Sequence, residues 1–209
     1  MKSLWASLAW VMALTLVSCS QVDETPYPDL ITEMVVAVGN AEGLVATITT
    51  DSGKHYDITN EMKGLEPCER LRGMASYVVN ADTRTNATLY SLQAALMLQD
   101  CADSTRLQHP TGVQSVWQGG GYINLHLYPK SEGHRGYWGF LRDSVRVNSL
   151  GRTTHHLSLY HNQGDDATAF SSHLYASLHT DSIHGQPGDS VILAVHTFQG
   201  IKEWGFYLP

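Results

Sequence analysis

Through the second half of the chain, hydrophobic and polar residues alternate with a period of two, the spacing at which a β-strand sends successive side chains to opposite faces. From Tyr122 to Tyr128, residues Ile123, Leu125 and Leu127 make one face while Tyr122, Asn124, His126 and Tyr128 make the other. From His173 to His179, Leu174, Ala176 and Leu178 oppose His173, Tyr175, Ser177 and His179. His156, Ser158 and Tyr160 continue the polar set. Further strands are predicted at Gly139 to Val147, Thr154 to His161, Ser190 to Phe198 and Trp204 to Leu208. The segments between them are rich in Gly, Asn and Asp, the spacing expected of an antiparallel β-sandwich.

The first half also reads as strands. Met34 to Val38 and the β-branched run Leu44 to Thr50 are followed by an Asp51-Ser52-Gly53 turn into Lys54 to Ile58, which predicts a hairpin. Arg70 to Val79 is another strand. Leu89, Leu92 and Leu96 permit a helix over Ala87 to Leu98, but pairing with Met74 to Val79 in a second hairpin is the reading preferred. About five short strands with no helix signal of equal strength suggest a small barrel. Residues 102–116 lack periodicity and mark the expected boundary. The fold class predicted is therefore all-β, a small barrel over 33–108 followed by an antiparallel sandwich over 109–209.

The N-terminus adds a location. Behind Lys2, the apolar segment Leu4 to Leu16 is too short to span a bilayer and suits a signal peptide. It closes on Leu16-Val17-Ser18-Cys19, a bacterial lipobox. Cleavage would remove residues 1–18 and leave Cys19 to carry acyl chains such as palmitate, so residues 19–32 become the lipidated cysteine and a polar tether. The membrane is then a partner through the lipid anchor, and the compartment is the cell envelope.

Composition narrows the partners. With 13 Lys+Arg against 20 Asp+Glu the net charge is −7, and the cationic residues are scattered singly, which argues against nucleic acid. Of three cysteines, Cys19 is committed to lipid, leaving Cys68 and Cys101 as a candidate disulfide or as two buried thiols.

Chemistry is sparse. Eleven histidines invite a metal site, yet His155 and His156 point to opposite faces of a strand, and His155 and His161 lie roughly 20 Å apart. Zinc needs all its ligand nitrogens about 2 Å from one point, so only a cross-strand cluster could serve, and no metal site or cofactor is expected. Neither a G-x-S-x-G elbow nor an H-E-x-x-H helix occurs, and no catalytic residue is assigned. Gly119-Gly120-Gly121 lacks the lysine of a phosphate loop and reads as a flexible entry into a strand. What remains is the polar face: Tyr122, Asn124, His126, Tyr128, His156, Tyr160, His173, Tyr175 and His179. Flat rings with hydrogen-bonding tips suit a glycan or another protein, although such faces also serve cross-strand packing alone.

Several segments are familiar. Trp117 followed by Gly121-Tyr122-Ile123-Asn124-Leu125, then His155 to His161 with Gly164-Asp165, and Leu174 to Leu178, resemble the NigD-like lipoproteins of the Bacteroidetes. The resemblance implies an OB-type barrel followed by a C-terminal β-sandwich, and an outer-membrane lipoprotein. It implies no catalytic residues. Asp23 and Glu24 after the lipidated cysteine resemble the region such organisms use to sort lipoproteins to the cell surface. The functional expectation is a non-catalytic binding or interaction module. The alternatives are a bacteriocin immunity-type protective lipoprotein, which the resemblance suggests, and a metal-dependent hydrolase.

Overall fold

The computed structural model describes residues 29–101, 105–132, 136–149, 151–166 and 169–209. The signal segment, Cys19 and the tether up to residue 28 lie outside the described residues.

Strands β1 (Ile31–Gly39), β2 (Val45–Thr50), β3 (His55–Ile58), β4 (Arg70–Val79) and β5 (Asn86–Ala94) close into a barrel in the order β1-β2-β3-β5-β4. β3 and β5 run parallel, and the other neighbours are antiparallel. This is an OB-type barrel. Alternation decides what fills it: Val35 and Ala37 from β1 meet Ile48, Tyr56, Ala75, Tyr77, Ala87 and Leu89 in the interior. Ala87 to Ala94 forms strand rather than helix because it pairs antiparallel with β4 through Gly73 to Val79. Asn80 shapes the intervening turn, its side-chain oxygen accepting the N–H groups of Asp82 and Thr83.

The rest of the chain forms a sandwich. Its strands are β6 (Leu96–Met97), β7 (Gln99–Asp100), β8 (Gly112–Gly119), β9 (Tyr122–Tyr128), β10 (Lys130–Ser131), β11 (Tyr137–Val147), β12 (Thr153–Asn162), β13 (Phe170–Ser171), β14 (Leu174–His179), β15 (Ser190–Thr197) and β16 (Gly200–Tyr207). One sheet has the order β16-β15-β12-β11-β7 and the other β6-β14-β9-β8. Between them lie Ile123, Leu125, Leu127, Phe140, Leu157, Leu159, Leu178 and Leu193. At about 25 cal/mol per Å² of apolar surface, this inter-sheet layer is the main favourable term for the unit. Among the described strands most pairings are antiparallel, and β12 with β15, β14 with β6, and β11 with β7 are parallel.

Two sequence expectations change. The stretch 102–116 is not a boundary, since β8 begins within it and Gln108 and Thr111 bridge to His161 and Thr197. Its alternation is hidden by a bulge between Val113 and Ser115, which breaks the period of two. The barrel ends at Ala94, and Leu96-Met97 already pairs with Ala176-Ser177 of the sandwich. The chain therefore crosses from one unit to the other at Ala95, not near residue 108. The second change concerns the cysteines. Cys68 is exposed and its N–H donates to the Asn40 carbonyl beside the barrel, whereas the Cys101 N–H donates to the Phe140 carbonyl in the sandwich. No disulfide joins them, and Cys68 is not buried.

Candidate functional site

The polar residues of β9 and β14 do share one face, the outer face of the four-stranded sheet. Register sets them in rows: Tyr122 opposite His179, Asn124 opposite Ser177, and His126 opposite Tyr175. The first two rows are taken up by the barrel. Arg72 of β4 reaches across to donate to Asn124 Oδ1 at 3.0 Å, while its guanidinium grips Asp51 through two bonds of 2.5 and 2.8 Å. Ser177 donates to the same Asn124 oxygen at 2.8 Å, and the Arg72 guanidinium lies 4.3 Å from the centre of the Tyr122 ring. Asn124 is 0 % exposed. An amide placed here by strand alternation as an outward residue is thus a buried acceptor between two domains, and it leaves the candidate ligand face.

The triglycine turn belongs to the same junction. Gly120 and Gly121 have positive φ, 60° and 82°, and join β8 to β9, with Gly119 and Gly120 lying against Asp51. A Cβ on Gly120 would clash with the Asp51 carboxylate, so glycine is required by close approach as well as by φ. The turn is packed against the barrel rather than loose.

The rows beyond the barrel remain half-exposed, and there the rings converge. His126 stacks on Tyr175 with centroids 4.3 Å apart, and lies 5.0 Å from Tyr128 and 5.2 Å from His173. Tyr128 meets His173 edge-on at 4.7 Å. His126 Nε2 and His173 Nδ1 share a hydrogen bond of 3.0 Å, so one imidazole donates and the other accepts. Burial, and then the neighbouring His173, hold the His126 pKa below the ordinary histidine value. Tyr122 and His179 form a separate edge-on pair at 4.7 Å, beside Arg72.

His156 and Tyr160 are not in this cluster. They lie on β12 in the other sheet, where Tyr160 is 5 % exposed, so Tyr160 is also lost to a surface ligand. The neighbouring Ser158 is buried as well, accepting from Gln108 Nε2 at 2.7 Å in the segment that crosses this sheet. His155 pairs with Asp189 at 3.2 Å; the Gln186 N–H and then His155 hold the Asp189 carboxyl below its usual range. His161 is buried flat against Trp138, ring centres 3.7 Å apart. Sequence reasoning missed Arg72 and Asp51 altogether. The hint available for Arg72 was its place inside β4, two residues beyond Arg70 and just before the run from Gly73 to Val79.

A five-stranded barrel locked to a mixed sandwich, with a ring cluster on the sheet face that the barrel leaves open, defines a two-domain all-β architecture. Residues 97–208 match the family of the NigD-like C-terminal beta sandwich domain, and the chain belongs to that family. Among curated proteins none matches it. The fold is similar to that of a NigD-like immunity protein from Bacteroides caccae, at 21 % identity and a TM-score of 0.66 over 88 % of this chain and 99 % of that one. It is also similar to a protein from Parabacteroides distasonis named as a candidate toxin-related protein, with 12 % identity and a TM-score of 0.69 over 86 % and 93 % of the two chains. A third, from Bacteroides fragilis, is named as a candidate lipoprotein; it has 13 % identity and a TM-score of 0.59 over 86 % and 97 %. At these identities the likeness concerns the fold.

Proposed function

We propose that this chain is a lipid-anchored envelope protein that binds a glycan, without transforming it, on the face made by His126, Tyr128, His173 and Tyr175. The carrying observation is the convergence of four rings, with centroids 4.3 to 5.2 Å apart, on the part of the sheet left uncovered by the barrel. Rings present apolar surface to the C–H face of a sugar, while phenol and imidazole tips offer donors and acceptors to its hydroxyls. Tyr122 and His179, beside Arg72, form a separate pair outside this face. Anchoring follows from Cys19, so the face would work on ligands at the membrane surface or just beyond the outer membrane.

A glycan microarray probed with the wild type and with the combined His126→Ala, Tyr128→Ala, His173→Ala, Tyr175→Ala variant tests the face. Retention of a glycan by the wild type, lost in the variant, is expected. Equal retention by both, or retention of none, would remove glycan binding here. An immunity-type role is the second reading, favoured by the name of the Bacteroides caccae relative. Its mark would be protection of bacteriocin-sensitive cells that express the chain. Anchoring has its own test: Cys19→Ala should leave the membrane fraction and lose radiolabelled palmitate.

A further inference from the structure

Distances along one strand forbid histidine chelation in this chain, but the register between β9 and β14 brings two imidazoles together from strands 47 residues apart in sequence. We propose that His126 and His173 form a two-nitrogen chelate for a borderline divalent cation, with Cu²⁺ the preferred ion. This goes beyond glycan binding and does not depend on it.

The bite carries the inference. With metal–nitrogen bonds of about 2.0–2.1 Å, two ligand nitrogens stand about 2.9 Å apart at a right angle and about 3.3 Å apart at the tetrahedral angle. His126 Nε2 and His173 Nδ1 are 3.0 Å apart, closest to the right angle of a tetragonal ion. Both rings are already held: His126 by its stack on Tyr175 and His173 by the edge of Tyr128. No net proton need be lost, because the donor imidazole can move its proton to its other ring nitrogen as the metal takes the facing lone pair.

Ligand type then selects the ion. Imidazole suits copper, nickel and zinc, and copper binds most tightly among the divalent ions of the series. No group of three or more His, Cys, Asp or Glu gathers as a metal-ligating set among the described residues. Two protein nitrogens therefore leave the remaining positions to water or to an incoming ligand.

The test uses untagged, lipidated protein in detergent, titrated at pH 7.5 with Cu²⁺ alone and read by electron paramagnetic resonance. The expected result is one tight ion per chain, showing coupling to two nitrogens. His126→Gln and His173→Gln should each weaken it by at least the ~10–100-fold that losing an outer-shell partner costs. His184→Asn, which removes an exposed imidazole elsewhere, should leave it unchanged. An unaltered spectrum and affinity in the double His126→Gln, His173→Gln variant would overturn the site, as would wild-type binding no tighter than in that variant. The glycan array run with and without EDTA keeps the two readings apart.

Discussion

Arg72 ties the two domains together, pairing with Asp51 of the barrel end and donating to Asn124 of the sandwich. Its side chain is 3 % exposed and that of its partner Asp51 is 17 % exposed, so the pair is shielded from water on the arginine side and slightly wetted on the other. Removing one partner of a buried pair costs about 3–5 kcal/mol, since the survivor keeps its desolvation penalty without its counter-charge. Arg72→Met strands a carboxylate that can still draw in water, and withdraws a donor from Asn124, so the expected cost is about 3 kcal/mol, the low end. Asp51→Asn leaves a guanidinium enclosed between barrel and sheet and belongs toward about 5 kcal/mol. The double variant should fall short of the sum by about 2 kcal/mol, within the coupling range of contacting residues. Urea unfolding followed by tryptophan fluorescence reads all four proteins. A further sign of a broken junction is a transition that splits or loses slope as barrel and sandwich unfold separately. Additive losses below about 1 kcal/mol each would refute the reasoning and reduce the network to a surface ion pair.

Acid should weaken the fold through His161. An unfolded imidazole titrates at about 6.5, and burial lowers the folded value below that. The unfolded state then binds more protons between the two values, so this contribution is fully present above the unfolded pKa and is lost as pH falls toward the folded one. The Nδ1–H donates to the His109 carbonyl at 2.9 Å, which fixes the tautomer. His161→Phe keeps a ring against Trp138 and should unfold with a shallower loss of stability between pH 8 and 5; an unchanged slope would assign the effect elsewhere. A chain nicked by a protease site engineered at 105–106 should stay in one piece on gel filtration. Its N-terminal part retains β6 and β7, which pair with Ala176-Ser177 and Gly139-Phe140. Separation of the fragments without denaturant would contradict that.

The sandwich was legible wherever a strand buries one face and wets the other. Ile123, Leu125 and Leu127 announce the core by alternation alone, and the β4–β5 hairpin is announced by the polar turn at Asn80 to Thr85. β8 was not legible, because its bulge puts Val113 and Val116 on the core side without strict alternation. Nor were the parallel pairings, since hydrophobic period carries no strand direction. The candidate site was half legible. His126, Tyr128, His173 and Tyr175 were found by period, but Asn124 follows the same period and is buried, because a second domain docks on it. Arg72 and Asn124 are 52 residues apart, and no local pattern encodes that meeting. The same limit hid the His126–His173 bond, since within-strand spacing gives no cross-strand register.

The most direct test of the binding face is side-chain NMR of histidine and tyrosine rings as a glycan retained on the array is added. The account predicts that resonances of His126, Tyr128, His173 and Tyr175 shift together and saturably, while those of buried Tyr160 and of His161 stay in place. Shifts confined to other rings, with those four unmoved at saturation, would contradict it.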